Sequence, residues 1–374
     1  MIEELLASNC IKIGSWKLKN GDISKYYFDI KNIISTPSLL CKIGDELYKK
    51  LGDFDIICGI PYGGLPIATY ISTKYNKPLI YLRDKAKEYG TGKLIEGEYK
   101  SSDRCVIIDD VVTSGGSMEE AINNLKDKVT VVQAAVVMDR QQGYKCSLPI
   151  TALLNKTDVV KYRLQTIKDK KQSNLCFSAD IGDPYRLLDI LESIGPYIVV
   201  CKIHYDIINI YEYDGVFNAA LIDLSIKHDF LIMEDRKFVD ISYIVEKQYE
   251  LFCNWVDLVT VHASVKDEVI SKLSGVLLVA NMSNNNYDLT DNALSLAKNN
   301  MKNVVGFITQ KRITCEDLVC MTPGISNSTT QVGDQQYRQI ADVDTDFIIV
   351  GRALYNSNNV QKTLENYVTL TNIG

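Results

Sequence analysis

Beyond residue 174 the chain repeats a short apolar run eight times, and five of the eight end on Asp, His or Arg: LCFSAD (175–180), IVVCKIH (198–204), FLIMED (230–235), DLVTVH (257–262), VLLVANM (276–282), NVVGFI (303–308), LVCMTPG (318–324) and FIIVGR (347–352). Continuous Val/Ile/Leu runs separated by helical stretches describe parallel strands covered on both faces. Eight of them, at intervals of roughly 20–40 residues, are the number that closes a (β/α)8 TIM barrel. Asp180, Lys202, His204, Asp235, Lys237, His262, Ser283 and Arg352 all sit at or just past the C-terminal ends of these runs. In a barrel those ends share one mouth, so side chains distant in sequence meet in a single charged site.

The first part of the chain has a related rhythm. IICGI (56–60), PLIYL (78–82), CVIID (105–109) and VTVVQAAVVM (129–138) alternate with amphipathic segments, as expected for an open α/β parallel sheet with helices on both faces. Between 156 and 174 the text KTDVVKYRLQTIKDKKQSN turns basic without a Gly/Ser or Pro tract, which predicts a compact helical joint over 161–173 between a domain at 1–160 and the barrel at 174–374. Forty-one basic against 47 acidic residues give a net charge of −6, so there is no global positive field to recruit nucleic acid or an anionic membrane. An anionic ligand must therefore be gripped locally. No apolar run reaches the ~18 residues of a membrane helix, and Glu3 and Glu4 stand where a secretory signal is basic, which points to the cytoplasm. The ten cysteines form no CxxC, and Cys58, Cys105, Cys176 and Cys201 lie inside apolar runs, as reduced core thiols would.

Two segments carry chemistry. In VIIDDVVTSGGSM (106–118) a buried strand delivers two adjacent carboxylates and then a turn of small residues entering a helix. Thr113, Ser114, Gly115 and Gly116 lack bulk, so backbone N–H groups can close on a phosphate where the helix dipole also favours an anion. Asp109 and Asp110 are acceptors for vicinal ribose hydroxyls and help to hold Mg2+ beside a sugar phosphate. In MEDRKFVDI (233–241), Asp235 and Lys237 fall at i and i+2 on one side of a strand leaving the barrel, with Asp240 three residues further. Lys202 ends the preceding strand, so a Lys, Asp, Lys, Asp array can assemble from neighbouring strands and a loop.

The first segment resembles the PRPP-binding signature of type I phosphoribosyltransferases, and the text from Ile11 to Leu154 is similar to the orotate phosphoribosyltransferase family. That resemblance implies orotate contacts from Lys19, Tyr27, Phe28 and Arg140, and a mobile hood over pyrophosphate at 83–97. Arg83 and the catalytic Lys87 would supply its charge, with Gly90 and Gly92 as its hinges. It also implies Mg2+ bound together with PRPP, touched only indirectly by Asp109 and Asp110. Two positions depart from the family pattern: Asp84 replaces a lysine after the hood arginine, with Lys85 as a substitute, and Gly63 replaces the lysine after the Pro-Ala-Tyr of relatives.

From Asn174 to about Leu354 the chain resembles the orotidine 5'-monophosphate decarboxylase family, with LCFSAD, KIHYD, EDRKFVDI, ANMS, TPG, GDQQY and IIVGR in the family's order. The resemblance implies a catalytic network of Lys202, Asp235, Lys237 and Asp240, the last supplied across a homodimer interface. It implies that Ser178, Asp180, His204 and Ser283 address the base and ribose of OMP, and that Ile241, Met282, Pro323 and Gly351 also bind OMP. Gln335, Tyr337 and Arg352 would hold its phosphate, and no cofactor is required. His262 reads equally well as a barrel-end residue or a ligand contact. Ile244 stands where the family has a ribose-binding threonine, which implies weaker nucleotide binding.

The two resemblances in this order are those of the bifunctional UMP synthase family. The expected partners are the small molecules orotate, PRPP and OMP, with neither nucleic acid nor membrane. Two other readings stay open at this point: a decarboxylase whose transferase is impaired by Asp84 and Gly63, and a regulator that senses PRPP or nucleotide without turnover.

Overall fold

The computed structural model describes residues 1–18, 21–83, 94–283, 288–326, 337–357, 359–360, 362–364 and 367. An N-terminal hairpin, β1 (Ile11–Lys17) and β2 (Ile23–Phe28), precedes a six-stranded sheet. That sheet comprises β3 (Ile56–Gly59), β4 (Leu79–Leu82), β5 (Ile95–Glu96), β6 (Arg104–Val112), β7 (Thr130–Asp139) and β8 (Ile150–Asn155), in the order β5-β4-β3-β6-β7-β8. Within this sheet the β4–β5 pair is antiparallel and the other pairs among the described residues are parallel. Each of the four apolar runs expected here contains one strand of this sheet. Cys58, Cys105, Ile107, Ala134 and Val136 are buried at its centre, as strands covered on both faces require.

The second architecture is a closed barrel. β9 (Leu175–Ser178), β10 (Val200–Ile203), β11 (Leu231–Phe238), β12 (Leu258–His262), β13 (Val276–Val279), β14 (Val304–Ile308), β15 (Val319–Pro323) and β16 (Phe347–Val350) pair in parallel, and β16 returns to β9. The two-residue period of a strand sorts their side chains. Cys176, Val200, Leu231, Met233, Leu258 and Leu277 join the cluster inside the barrel. Phe177, Cys201, Ile232, Val259 and Leu278 join the larger cluster that includes residues of the surrounding helices. Continuing the inward series one step toward the C-terminal rim gives Ser178, Lys202, Asp235 and Thr260. The charged mouth is thus a consequence of alternation.

The compact units divide differently from the continuous domains expected of the sequence. One comprises Met1–Lys12 and Tyr27–Lys156, the other Ile13–Tyr26 and Thr157–Gly374. The hairpin segment 13–26 therefore packs with the barrel. Lys25 Nζ donates to Asp257 Oδ2 (2.5 Å) and to the carbonyl of Phe230 (3.2 Å). Tyr26 Oη donates to Asp257 Oδ1, and Arg163 Nη1 donates to Tyr26 Oη (3.0 Å). Burial pushes the Lys25 ammonium down to about 8 against the pull of Asp257, and Lys25 and Arg163 hold the buried Asp257 carboxyl below its ordinary value. The basic joint is part of a longer helix, Lys156–Lys171, whose Val160, Leu164 and Ile167 belong to the cluster inside the barrel. No helix among the described residues is long and apolar enough to cross a membrane.

Candidate active sites

At the C-terminal ends of the barrel strands a cavity of about 310 Å³ is lined by Ser178, Asp180, Lys202, Asp235, Lys237, Met282, Ser283, Pro323, Tyr337, Gly351 and Arg352, together with Val279, Ile308, Gly324, Ile325, Ile349 and Ala353. Its floor is charged in a definite order. Lys202 Nζ donates to Asp235 Oδ2 at 2.7 Å, and Lys237 Nζ lies 2.9 Å from the same oxygen. His204 Nε2 is 3.3 Å from that oxygen, and Asp180 Oδ1 is 3.6 Å from Lys202 Nζ. Ser178 Oγ donates to Asp180 Oδ1 (3.0 Å). Burial alone would raise the Asp235 carboxyl, but Lys202, His204 and Lys237 hold it well below the usual carboxylate range. Lys202, although buried, is raised above an ordinary lysine by Asp235 and Asp180. Two ammonium groups thus share one ionised carboxylate on the floor of a cavity lined by both polar and apolar side chains.

Several expected residues stand elsewhere. β11 runs out at Phe238, so Val239, Asp240 and Ile241 project from the rim, and Asp240 is exposed, its Oδ1 accepting only the neighbouring Ile241 N–H among the hydrogen bonds of the described residues. Ile241 is 67% exposed and does not line the cavity of its own chain. His262 lies outside the cavity lining, with Nδ1 2.7 Å from Ser264 Oγ, and burial lowers its pKa. Gln335 falls outside the described residues. Arg352 stacks over the Tyr337 ring at 5.9 Å, bringing together two of the groups expected at phosphate. Ile244 is half-buried on the helix Ser242–Tyr249.

The sequence reading passed over two residues of this region. Thr260, fully buried on β12, donates from Oγ1 to Asp235 Oδ1 (2.8 Å) and accepts from the Lys237 backbone N–H (2.9 Å). Its inward register with Leu258 and His262 is the only signal of it in the sequence. Glu234 faces away from the cavity, accepts the Tyr205 N–H (3.0 Å), and is pushed by burial up to about 8.

In the other unit, β6 carries Asp109 and Asp110 shortly before its end at Val112, and the chain then turns through Gly115 into the helix Gly116–Leu125. Gly115 has φ +82°, and a Cβ there would lie 2.8 Å from the Lys145 carbonyl oxygen, so glycine is required on both counts. Thr113 and Ser114 complete the turn. Burial, with Asp110 beside it, pushes the Asp109 carboxyl up to about 8. A Cβ on Gly63 would lie 2.1 Å from Asp110 Cγ, so the space beside Gly63 is filled by the Asp110 side chain. Arg140 lies over the Phe28 ring at 6.0 Å, which pairs two of the residues expected at orotate, and Lys12 lies separately over the Tyr27 ring at 5.6 Å. Arg83 is paired with Glu96 (2.8 Å). Lys19, Asp84, Lys85, Lys87, Gly90 and Gly92 fall outside the described residues.

These are a phosphoribosyl transferase fold and a decarboxylase-type barrel on one chain. The family model for the phosphoribosyl transferase domain matches residues 29–158, and that of the orotidine 5'-phosphate decarboxylase / HUMPS family matches residues 173–367. The chain is 31% identical to the uridine 5'-monophosphate synthase of Bos taurus, over 98% of this chain and 95% of that protein. Its first part is 43% identical to the orotate phosphoribosyltransferase of Pyrococcus abyssi, covering 38% of this chain and 81% of the relative. Its second part is 36% identical to the orotidine 5'-phosphate decarboxylase of Pichia kudriavzevii, covering 53% and 86% respectively. The chain belongs to the orotidine 5'-phosphate decarboxylase / HUMPS family, and within it to the bifunctional uridine 5'-monophosphate synthases.

Proposed function

We propose that the two halves of this bifunctional enzyme of pyrimidine biosynthesis act in series through the residues described above. The first half joins orotate to PRPP, giving OMP and pyrophosphate; the second converts OMP to UMP and CO2. The observation that carries the reading is the array of buried Lys202 and Asp235 with half-buried Lys237 on the floor of the barrel cavity, both ammonium groups lying within 3 Å of one carboxylate oxygen.

In the transferase half, Phe28, Tyr27, Lys19 and Arg140 hold orotate, Asp109 and Asp110 hold the ribose hydroxyls, and the turn Thr113 to Gly116 holds the 5'-phosphate. Arg83 and Lys87 belong to the hood over the diphosphate. Among the described residues no three His, Cys, Asp or Glu side chains gather as a metal site. Two carboxylates suit a cation that arrives already coordinated by the diphosphate, and Asp109 and Asp110 are the residues that would meet it. When bound, Mg2+ neutralises charge that develops on the departing diphosphate.

In the decarboxylase half, loss of CO2 leaves a carbanion that the pyrimidine ring stabilises poorly. Lys237 meets that anion and delivers a proton to it. Asp235 stands against the substrate carboxylate, and the repulsion is relieved as neutral CO2 leaves. Lys202 keeps Asp235 ionised and in place. Ser178, Asp180, His204, Met282, Ser283 and Pro323 address base and ribose, with Gln335, Tyr337, Gly351 and Arg352 at the phosphate. Asp240 and Ile241 act in the cavity of a second copy. Val239, Ile241 and Tyr243, exposed by 61, 67 and 64%, support such a homodimer by forming an apolar fringe around Asp240.

The test is to assay the purified chain with orotate plus PRPP and, separately, with OMP, each with and without EDTA. Both products are expected, and only the first is to disappear with the chelator. Decarboxylation that fails with EDTA, or a chain inert toward OMP, contradicts the assignment.

A further inference from the structure

We propose that Thr260 is a positioning residue for decarboxylation, setting Asp235 and Lys237 together through one hydroxyl group. This rests on the reading of Asp235 and Lys237 as the catalytic pair. The geometry that leads to it is a break in the barrel. β11 and β12 are in regular register at Met233↔Leu258 and Glu234↔Val259, and next at Phe238↔Val261. Three residues of β11, 235 to 237, therefore face the single residue Thr260 on β12. A bulge of this kind takes backbone groups out of the ladder and re-aims side chains.

Lys237 lies at the end of that bulge with φ +51°, a left-handed conformation that a long L side chain rarely adopts. Thr260 supplies what the interrupted ladder does not. Its Oγ1 accepts the Lys237 N–H at 2.9 Å, fixing the strained backbone from which the ammonium turns back to within 2.9 Å of Asp235. The same hydroxyl donates to Asp235 Oδ1 at 2.8 Å. Since Oδ2 is taken by Lys202 and Lys237, the hydroxyl settles the rotation of the carboxylate, and with it where the negative charge points into the cavity. Donor and acceptor roles are unambiguous, because an amide N–H only donates and an ionised carboxylate only accepts. Thr260 is 0% exposed, so no water competes for either bond. Valine has the same branching at Cβ and so nearly the same shape, without the hydroxyl.

The decisive variants are Thr260→Val, which keeps shape and loses both hydrogen bonds, and Thr260→Ser, which keeps the hydroxyl. Thr260→Val is expected to lower kcat for OMP by between tenfold and about 10²-fold, the range that follows from sub-ångström misplacement of reacting groups. KM for OMP and inhibition by UMP should stay within about threefold, and Thr260→Ser should restore most of kcat. Transferase activity of the same preparation reports that the protein is intact, and a thermal melt reports the barrel. Should the valine variant not fold, Thr260→Ala read by the same kcat-against-KM split takes its place. Equal losses in the valine and serine variants, or a wild-type kcat in Thr260→Val, overturn the inference. Lys237→Ala separates the two levels: if it still decarboxylates OMP, the catalytic reading fails whatever Thr260 does.

Discussion

Replacing Asp235 by asparagine keeps the shape of the site and removes one charge. In the structure that charge is buried and immobile, its Oδ2 held 2.7 Å from Lys202 Nζ and 2.9 Å from Lys237 Nζ and its Oδ1 2.8 Å from Thr260 Oγ1. A substrate carboxylate brought to about 4 Å of it, at an effective dielectric of about 20, is repelled by roughly 4 kcal/mol. At 1.4 kcal/mol per decade this is about three orders of magnitude in affinity. UMP has no carboxylate and feels none of it. Asp235→Asn should therefore bind OMP more tightly relative to UMP, by up to about 10³-fold, while kcat falls by at least a comparable factor. The assay is calorimetric titration of the slow variant with OMP and with UMP, set against the transient-kinetic dissociation constant of OMP and the inhibition constant of UMP for the parent. An OMP to UMP affinity ratio within threefold of the parent would refute electrostatic repulsion as a source of the rate.

Further outcomes follow from the same geometry. Lys25→Met leaves Asp257 buried with one cation fewer, at 0% exposure for both partners, and should destabilise the barrel unit by about 3–5 kcal/mol; a loss under about 1 kcal/mol in thermal unfolding contradicts this. Asp109, raised from 3.8 to about 8, binds its proton more tightly folded than unfolded, so its contribution to stability declines as pH rises from about 4 to 8, and its ionised form becomes available to PRPP only through that upper limit. PRPP affinity should accordingly improve between pH 7 and 9, and Asp109→Asn should flatten the profile. Gly63→Ala puts a methyl group 2.1 Å from Asp110 Cγ, which should raise KM for PRPP about tenfold or more with OMP decarboxylation unchanged.

Much of this was legible in the sequence, for identifiable physical reasons. Barrel strands are covered on both faces, so each shows as an unbroken apolar run, and polar residues at the run ends marked the mouth. Lys202, Asp235 and Lys237 stood out because they are charged at the ends of otherwise apolar runs, and the structure brings the three side chains together. The hairpin segment was not assigned to the barrel, since Lys25 in a strand reads as solvent-facing and its partner Asp257 lies 232 residues away. The helix Lys156–Lys171 hides its apolar stripe of Val160, Leu164 and Ile167 among lysines, so it reads as a joint while it closes the barrel interior. Thr260 was missed because its importance depends on a bulge, and a bulge leaves no mark in hydrophobic alternation. At Gly63 the sequence shows only a departure from the family pattern, while the structure adds that the Asp110 side chain occupies the space where a Cβ would stand.

The central claim is that one chain takes orotate through to UMP and that the charged rim of the barrel performs the second reaction. Orotate labelled in its carboxyl group, supplied with PRPP and Mg2+ to the parent and to Lys237→Ala, tests it in a single experiment. The account predicts release of labelled CO2 by the parent and accumulation of labelled OMP, with no CO2, in the variant. Labelled CO2 from Lys237→Ala at the parental rate, or none from the parent, would contradict it.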